Sequence, residues 1–455
     1  MAKASVMEKF EATHQKSKKL WERAIKLGRG YHTDPIVTRP FSLYITHAKG
    51  SRKWDVDGNE YIDYVMGFGA MFLGHAHPAL IEAVQKQIVK GTHYGGENEL
   101  ELEWAELVCK LIPAAERVEF MLSGSESDML CARLARAFTG RNKILKFAEH
   151  YFGWADDLLP GIAPPYDKPF AGQIPSCSDG AVSGYTVVIP CNDEEAMEKA
   201  LARRDIAAFF VEGGGANCGR IGIQPETVRK ARKLTEQYGT LLVLDEVISG
   251  FRWSPGGYQA AIGVKADLSP LAKLNGGGLP GGAAVCGRAD VMELLKLRSG
   301  DAEWNRYKHV IHRGTWNGNP LTAAAAVAML KIVEKGEVQK KAADSARKLA
   351  DGIQAEFDRR GIEACAHNAT SVLHIHIGRC QKCDRNICLD TNKSISPELV
   401  HAWNGYLLLN GVHLHRGTMG LVSPAHTSED VAQTVKAFGK AMDGMLEEGI
   451  IRVGR

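Results

Sequence analysis

The 455-residue sequence has no apolar run approaching the length of a membrane span. Its formal net charge is only +3 and no dense basic stripe is present, which argues against a nucleic-acid or polyanion partner. The first thirty residues are charged and periodic and lack the apolar core of a signal peptide. They read as one amphipathic helix ending at Gly28 or Gly30. There is no internal repeat and no low-complexity linker. The phosphate-loop pattern GxxxxGK[ST] is absent, and "NGGGLPGG" does not fit the GxGxxG of a dinucleotide fold. A barrel of eight strand–helix units is not supplied either. With 45% hydrophobic and 24% charged residues the chain is an ordinary globular one, long enough for a large core.

Ten cysteines are scattered through the sequence, and with no export signal in view a reduced, cytoplasmic setting is expected. Cys380, Cys383 and Cys388 follow His374 and His376 closely. Here "SVLHIHIG" reads as a strand with both histidines on one face, and "GRCQKCDRNIC" as a polar loop. No clean four-ligand spacing emerges, so no metal is expected.

Between about residues 100 and 290, short apolar runs alternate with helical stretches. The runs are "RVEFML", "KILKF", "YTVVIP", "IAAFFVE", "LLVLDEV", "LSPLAK" and "GAAVCG". Seven such strands separated by helices predict an α/β fold with a mostly parallel seven-stranded sheet covered on both faces. Upstream, "RKWDVDGNEYIDY" predicts a hairpin turning at Asp57-Gly58-Asn59. The expected organisation is an N-terminal segment (1–72) that joins a small domain, a large domain (73–325) and a C-terminal small domain (326–455). Ligands in such sheets bind beyond the carboxyl ends of the strands.

Those strand ends carry the chemistry. Asp245 closes the buried run "LLVLD" and requires a partner; a protonated pyridine nitrogen is one, and a capped turn or Arg252 are others. In "LAKLNGGGLPGG", Lys273 sits between apolar residues before a glycine-rich turn. A buried ammonium costs several kcal/mol unless it is paired or uncharged, so Lys273 reads as a lysine that carries a Schiff base to pyridoxal 5'-phosphate. In "LSGSES" a strand meets a helix at Ser123-Gly124-Ser125, an anion site suited to phosphate, although Ser123 or Ser125 as a plain helix cap serves equally. Tyr151 in "HYFGW" stands at a strand end, where an aromatic can stack on a flat ring or simply pack.

These motifs, with "WDVDGNEYIDY", "LGHAHP", "LDEVISGFR", "GTWNGNP" and "SPAHTSEDV", run nearly end to end. They resemble the class III aminotransferases of fold type I, the group containing glutamate-1-semialdehyde aminomutase. "HRGTMGLVSPAHT" and "GGLPGG" are also similar to D-phenylglycine aminotransferase. The resemblance implies that Lys273 is the Schiff-base lysine and proton shuttle and that Asp245 pairs with the ring nitrogen. It implies that Val247 and Tyr151 flank the ring, that Gly124 and Ser125 cradle the phosphate, and that Asn217 lies near the ring hydroxyl. Gly314 and Thr315 would reach the phosphate of a neighbouring subunit, which implies a homodimer with shared active sites. The partners expected are an amino-acid donor, apolar or aromatic and possibly D- or β-configured, and a keto acid acceptor such as 2-oxoglutarate. An aminomutase or racemase is the alternative.

Several positions depart from the resemblance. Thr418 stands where the aminomutase has an acidic residue, and Ile36 where it has an arginine. Phe152 replaces a histidine, and Glu212-Gly213 replaces Glu-Pro. For the substrate carboxylate Arg416 is the first candidate and Arg39 the second, each with a surface ion pair as the plain alternative. Phe68 and Phe152 are candidates for an apolar substrate pocket or for core packing. The segment from Asp156 to Gly184 reads as a possible lid.

Overall fold

The computed structural model describes residues 5–28, 41–162, 184–378, 380, 383, 387–389 and 396–452. The chain divides into two compact units, Pro78–Gln339 and Met1–His77 with Lys340–Arg455.

The Pro78–Gln339 unit is built on one sheet of seven strands: β1 (Arg117–Met121), β2 (Lys143–Phe147), β3 (Thr186–Ile189), β4 (Ile206–Glu212), β5 (Leu241–Asp245), β6 (Leu268–Leu271) and β7 (Ala283–Gly287). Their order across the sheet is β1-β7-β6-β5-β4-β2-β3. Strand β7 runs antiparallel to both its neighbours, and the remaining pairings are parallel. All seven strands fall where the sequence predicts them. Every residue of β4 and β5 is buried. Continuous apolar runs of this kind belong to strands covered on both faces, where alternation has no purpose.

Helix α1 (Gly124–Thr139) follows β1 directly. Its start is fixed by a capping box: Ser123 Oγ accepts the Glu126 amide, and the Glu126 carboxylate accepts the Ser123 amide. One face of α1 buries Leu130, Leu134 and Ala135 in the core beside the sheet. The alanine-rich helix Pro320–Val333 is buried over most of its length. The glycine-rich turn after Lys273 explains its own composition. A Cβ on Gly276 would overlap the backbone of Gly282, so the turn closes only without side chains there.

In the other unit, Ile45–Lys49, Arg52–Asp55 and Glu60–Asp63 form an antiparallel meander, extended in parallel by Val412–His413. The hairpin turn lies at the expected Asp57-Gly58-Asn59, where Asp55 Oδ1 accepts the amides of Asp57 and Asn59. A second sheet joins Ala364–Ala369, Val372–Ile377 and Met419–Leu421.

The N-terminal region corrects the expectation of one helix. Two helices form, Val6–Thr13 and Gln15–Lys26, broken at His14. The break seats the buried His14 ring between the Phe10 carbonyl and the Tyr61 hydroxyl, each 2.7 Å away. Among the described residues no helix is long and apolar enough to cross a membrane.

Candidate active site

Parallel strands β4, β5 and β6 end side by side, and their ends carry Glu212, Asp245 and, just beyond β6, Lys273. Asp245 stands in register with Glu212 on the adjacent strand, so two carboxylates project from neighbouring strand ends. A cavity of about 360 Å³ opens there. Its walls include Gly124, Ser125, Tyr151, Asn217, Val247, Asp245 and Lys273. The structure thus brings seven of the candidate site residues, drawn from separate loops, around one space.

Each wall has a local cause. Lys273 follows β6 with φ +51°, a left-handed conformation that a non-glycine residue adopts at a cost. The strain turns the chain out of the strand into the glycine turn and presents the side chain at the cavity. Gly124 and Ser125 lie in the first turn of α1, where amides have no intrahelical partner and the helix dipole favours an anion. Ser123, the residue before them, is the cap. A Cβ on Gly124 would stand 3.0 Å from Val247 Cγ1, so glycine keeps the backbone close to the cavity wall. The Tyr151 amide donates to Glu212 Oε1 at 2.6 Å, and its ring remains 47% exposed.

The electrostatics are unusual. Burial pulls the Lys273 amine down from its ordinary value, against the attraction of Asp245 and Glu212. Burial pushes Asp245 up to about 7, although its Oδ1 accepts the Val247 amide at 2.7 Å and Lys273 opposes the shift. The capped-turn reading of Asp245 therefore holds for one oxygen. Burial and the Asp245 charge push Glu212 up to about 8. Sequence reasoning missed a third carboxylate. Asp128, one turn into α1, lines the cavity, and burial with the Asp245 and Glu212 charges raises it well above the usual range. Its buried Oδ1 has no hydrogen-bond partner among the described residues. Glu212 and Asp128 were readable only as a strand end and a polar helix position; nothing in their spacing pointed to one space.

The remaining candidates lie elsewhere. Phe152 is corrected. It is fully buried in the core, edge-to-face on Phe210 with ring centroids 5.3 Å apart, and it does not line the cavity. Gly314 borders a different cavity with Glu126 and Arg133, and Thr315 is exposed. Phe68 and Arg416 line one cavity of about 280 Å³ in the Met1–His77 and Lys340–Arg455 unit. Lys53, His75 and Asp63 line the same cavity, and the first two each contact the buried Asp63 carboxylate at 2.7 Å. Arg39, Ile36 and most of the expected lid fall outside the described residues.

A half-buried lysine just past a strand end, an ionisable carboxylate on the next strand and an anion site on a helix start fit a flat, phosphorylated ring. The family pattern "Aminotransferase class-III" matches residues 35–363. The chain is 36% identical over 440 residues to the glutamate-1-semialdehyde 2,1-aminomutase of Thermodesulfovibrio yellowstonii, covering 93% of this chain and 98% of the relative. An omega-transaminase from Sphaerobacter thermophilus superposes with TM-score 0.84 at 28% identity, covering 94% of this chain and 97% of that one. A β-phenylalanine aminotransferase from Variovorax paradoxus gives TM-score 0.84 at 26% identity, covering 99% and 98%. The chain belongs to the class III aminotransferases, enzymes that depend on pyridoxal phosphate.

Proposed function

We propose that the protein moves an amino group on a small amino-acid-like substrate at Lys273. The observation that carries this reading is the cavity's surplus of buried carboxylates, with Asp128 Oδ1 unpartnered, beside an anion site on α1. A ring with a cationic nitrogen and a phosphate tail answers both demands. Bound pyridoxal phosphate supplies an electron sink that makes a substrate C–H bond acidic. Asp245 would pair with the ring nitrogen, and burial raises its affinity for a proton in the cofactor-free protein. The Gly124 and Ser125 amides would hold the phosphate. Tyr151, Val247 and Asn217 line the space that would take the ring. The Lys273 amine, its basicity lowered by burial, anchors the cofactor and takes and returns the substrate proton at Nζ.

Within that class, the aminomutase outcome has the better support: transfer of the amine between positions of one carbon skeleton, as the name of the 36%-identical relative describes. Intermolecular transfer from an apolar or aromatic amino acid to a keto acid is the second reading. The likeness to the β-phenylalanine aminotransferase favours it, as does the neutral Thr418. Phe68 and Arg416 would then serve the donor's side chain and carboxylate. We further propose a homodimer, with Gly314 and Thr315 serving the partner's site. The exposure of Tyr307 (71%), Ile311 (63%) and Trp316 (48%) around them supports a covered face.

Incubation of the holoenzyme with glutamate-1-semialdehyde alone, and with L-, D- and β-amino acids with and without 2-oxoglutarate, tests this. An isomer of unchanged mass formed without acceptor supports the mutase reading. A keto product dependent on acceptor supports the transaminase. Failure of every amine to perturb the cofactor absorbance refutes amino-group transfer at this site.

A further inference from the structure

The hairpin Ala364–Ala369 and Val372–Ile377 places Cys365 opposite His376 and His367 opposite His374. Beyond it, Cys383 groups with Cys365 and His367 on one side and with Cys380 and Cys388 on the other. Cys380 Sγ and Cys388 Sγ are 3.4 Å apart, and Cys383 Sγ lies 3.7 Å from His367 Nδ1. The ligand atoms of Cys380, Cys383 and Cys388 all lie within 4.8 Å of one another, as do those of Cys365, His367 and Cys383. The side chain of Cys365 also interacts with those of Cys380 and Cys383. Cys383 and Cys388 also form an antiparallel backbone bridge, and Cys388 is fully buried. No disulfide joins these residues.

We propose that Cys365, Cys380, Cys383 and Cys388 bind one zinc ion, a site separate from the Lys273 cavity. Thiols are weak hydrogen-bond partners, so a cluster of four gains little as thiols. Four sulfurs each about 2.3 Å from one tetrahedral ion stand about 3.8 Å apart, and here ligand atoms lie within 4.8 Å of one another in each of two triads that share Cys383. Cys380 and Cys383 have the Cys-x₂-Cys spacing of such sites, with Cys365 supplied from the hairpin. Each sulfur–zinc bond forms as a thiol releases its proton to solvent, leaving the filled site with two negative charges. Arg379, Lys382 and Arg385 against Asp384 make the flanking sequence basic enough to offset them. Cys365 is chosen over His367 because it interacts with two of the other three cysteines, whereas His367 stacks on His374 with centroids 5.3 Å apart.

The test is elemental analysis of the purified full-length holoenzyme after dialysis over a chelating resin. About one zinc per chain is expected. Cys365→Ser, Cys380→Ser and Cys383→Ser should each lose at least about nine-tenths of it, whereas His367→Ala and a Cys109→Ser control should keep it. If the serine variants do not fold, cobalt loading of the wild-type protein replaces them. Tetrahedral thiolate absorption in the red, clear of the cofactor's band, is then expected. A metal-free wild type, iron in place of zinc, a Cys380–Cys388 disulfide, zinc retained in Cys383→Ser, or no red absorption with cobalt would each overturn the proposal. Zinc lost from His367→Ala but kept in Cys365→Ser would overturn the four-thiolate assignment.

Discussion

Lys146 and Lys273 both lie on the large sheet, and burial lowers the basicity of both amines, Lys146 to about 7. Their surroundings differ. Lys146 is inside β2, fully buried, with Nζ donating to the Leu158 carbonyl at 2.6 Å and the Phe152 ring 5.2 Å away. Lys273 stands just past β6, half-buried at a cavity wall beside Asp245. A depressed pKa alone therefore does not make a reactive lysine. Glu212 and Asp128 act on Lys146 as well, so access from a strand end is what separates Lys273, and the sheet supplies it where parallel strands terminate.

The sharpest way to break this contrast is to exchange the two roles by mutation. Lys273→Ala should lower turnover by a factor of about 10³ or more, through loss of the proton-transfer group and of the cofactor's anchor. Lys146→Met should leave turnover within about threefold, because it removes a buried charge that faces a carbonyl rather than the cavity. Steady-state rates with the best donor read both, and comparable losses would erase the distinction.

Asp245→Asn should lower turnover by about 10²-fold or more, since the ring nitrogen loses its anionic partner. The same variant sharpens the electrostatic half of the comparison. A carboxyl whose folded pKa is raised to about 7 destabilises the cofactor-free protein as pH rises from the unfolded value through 7. Cofactor-free Asp245→Asn should therefore melt above the wild type at pH 8, and the gap should shrink below pH 7 and close near about pH 4, the unfolded value. A gap that widens at low pH would reverse the sign of the argument.

Phe152→Leu tests the boundary between core and cavity. It should cost about 1–2 kcal/mol of stability in a denaturant titration and leave KM for the donor unchanged within error. The smallest effect is expected at Arg416→Ala, which should raise KM for amino acids several-fold and barely alter KM for simple amines.

Much of this was legible in the sequence. The seven strands announce themselves because buried parallel strands are unbroken apolar runs, and Asp245 and Lys273 because each ends such a run with a charge. Glu212 ends one too, but its register beside Asp245 depends on strand order, which no local pattern encodes. Asp128 reads as a solvent-facing helix residue until α1 is set against the strand ends. Phe152 reads equally as a pocket wall or as core, and only the packing against Phe210 decides for the core. Cys365 lies fifteen residues before Cys380 and joins its cluster only through the fold of a hairpin. His14 breaks the first helix for the sake of a distant hydroxyl on Tyr61. What failed to show in sequence was in each case a contact between segments.

The central claim is that Lys273, and not the more deeply buried Lys146, anchors the cofactor. Borohydride reduction of the holoenzyme followed by peptide mass mapping tests it directly. A phosphopyridoxyl mass on the peptide bearing Lys273, with Lys146 unmodified, is the predicted result. The label on Lys146, or on neither lysine, would contradict the account.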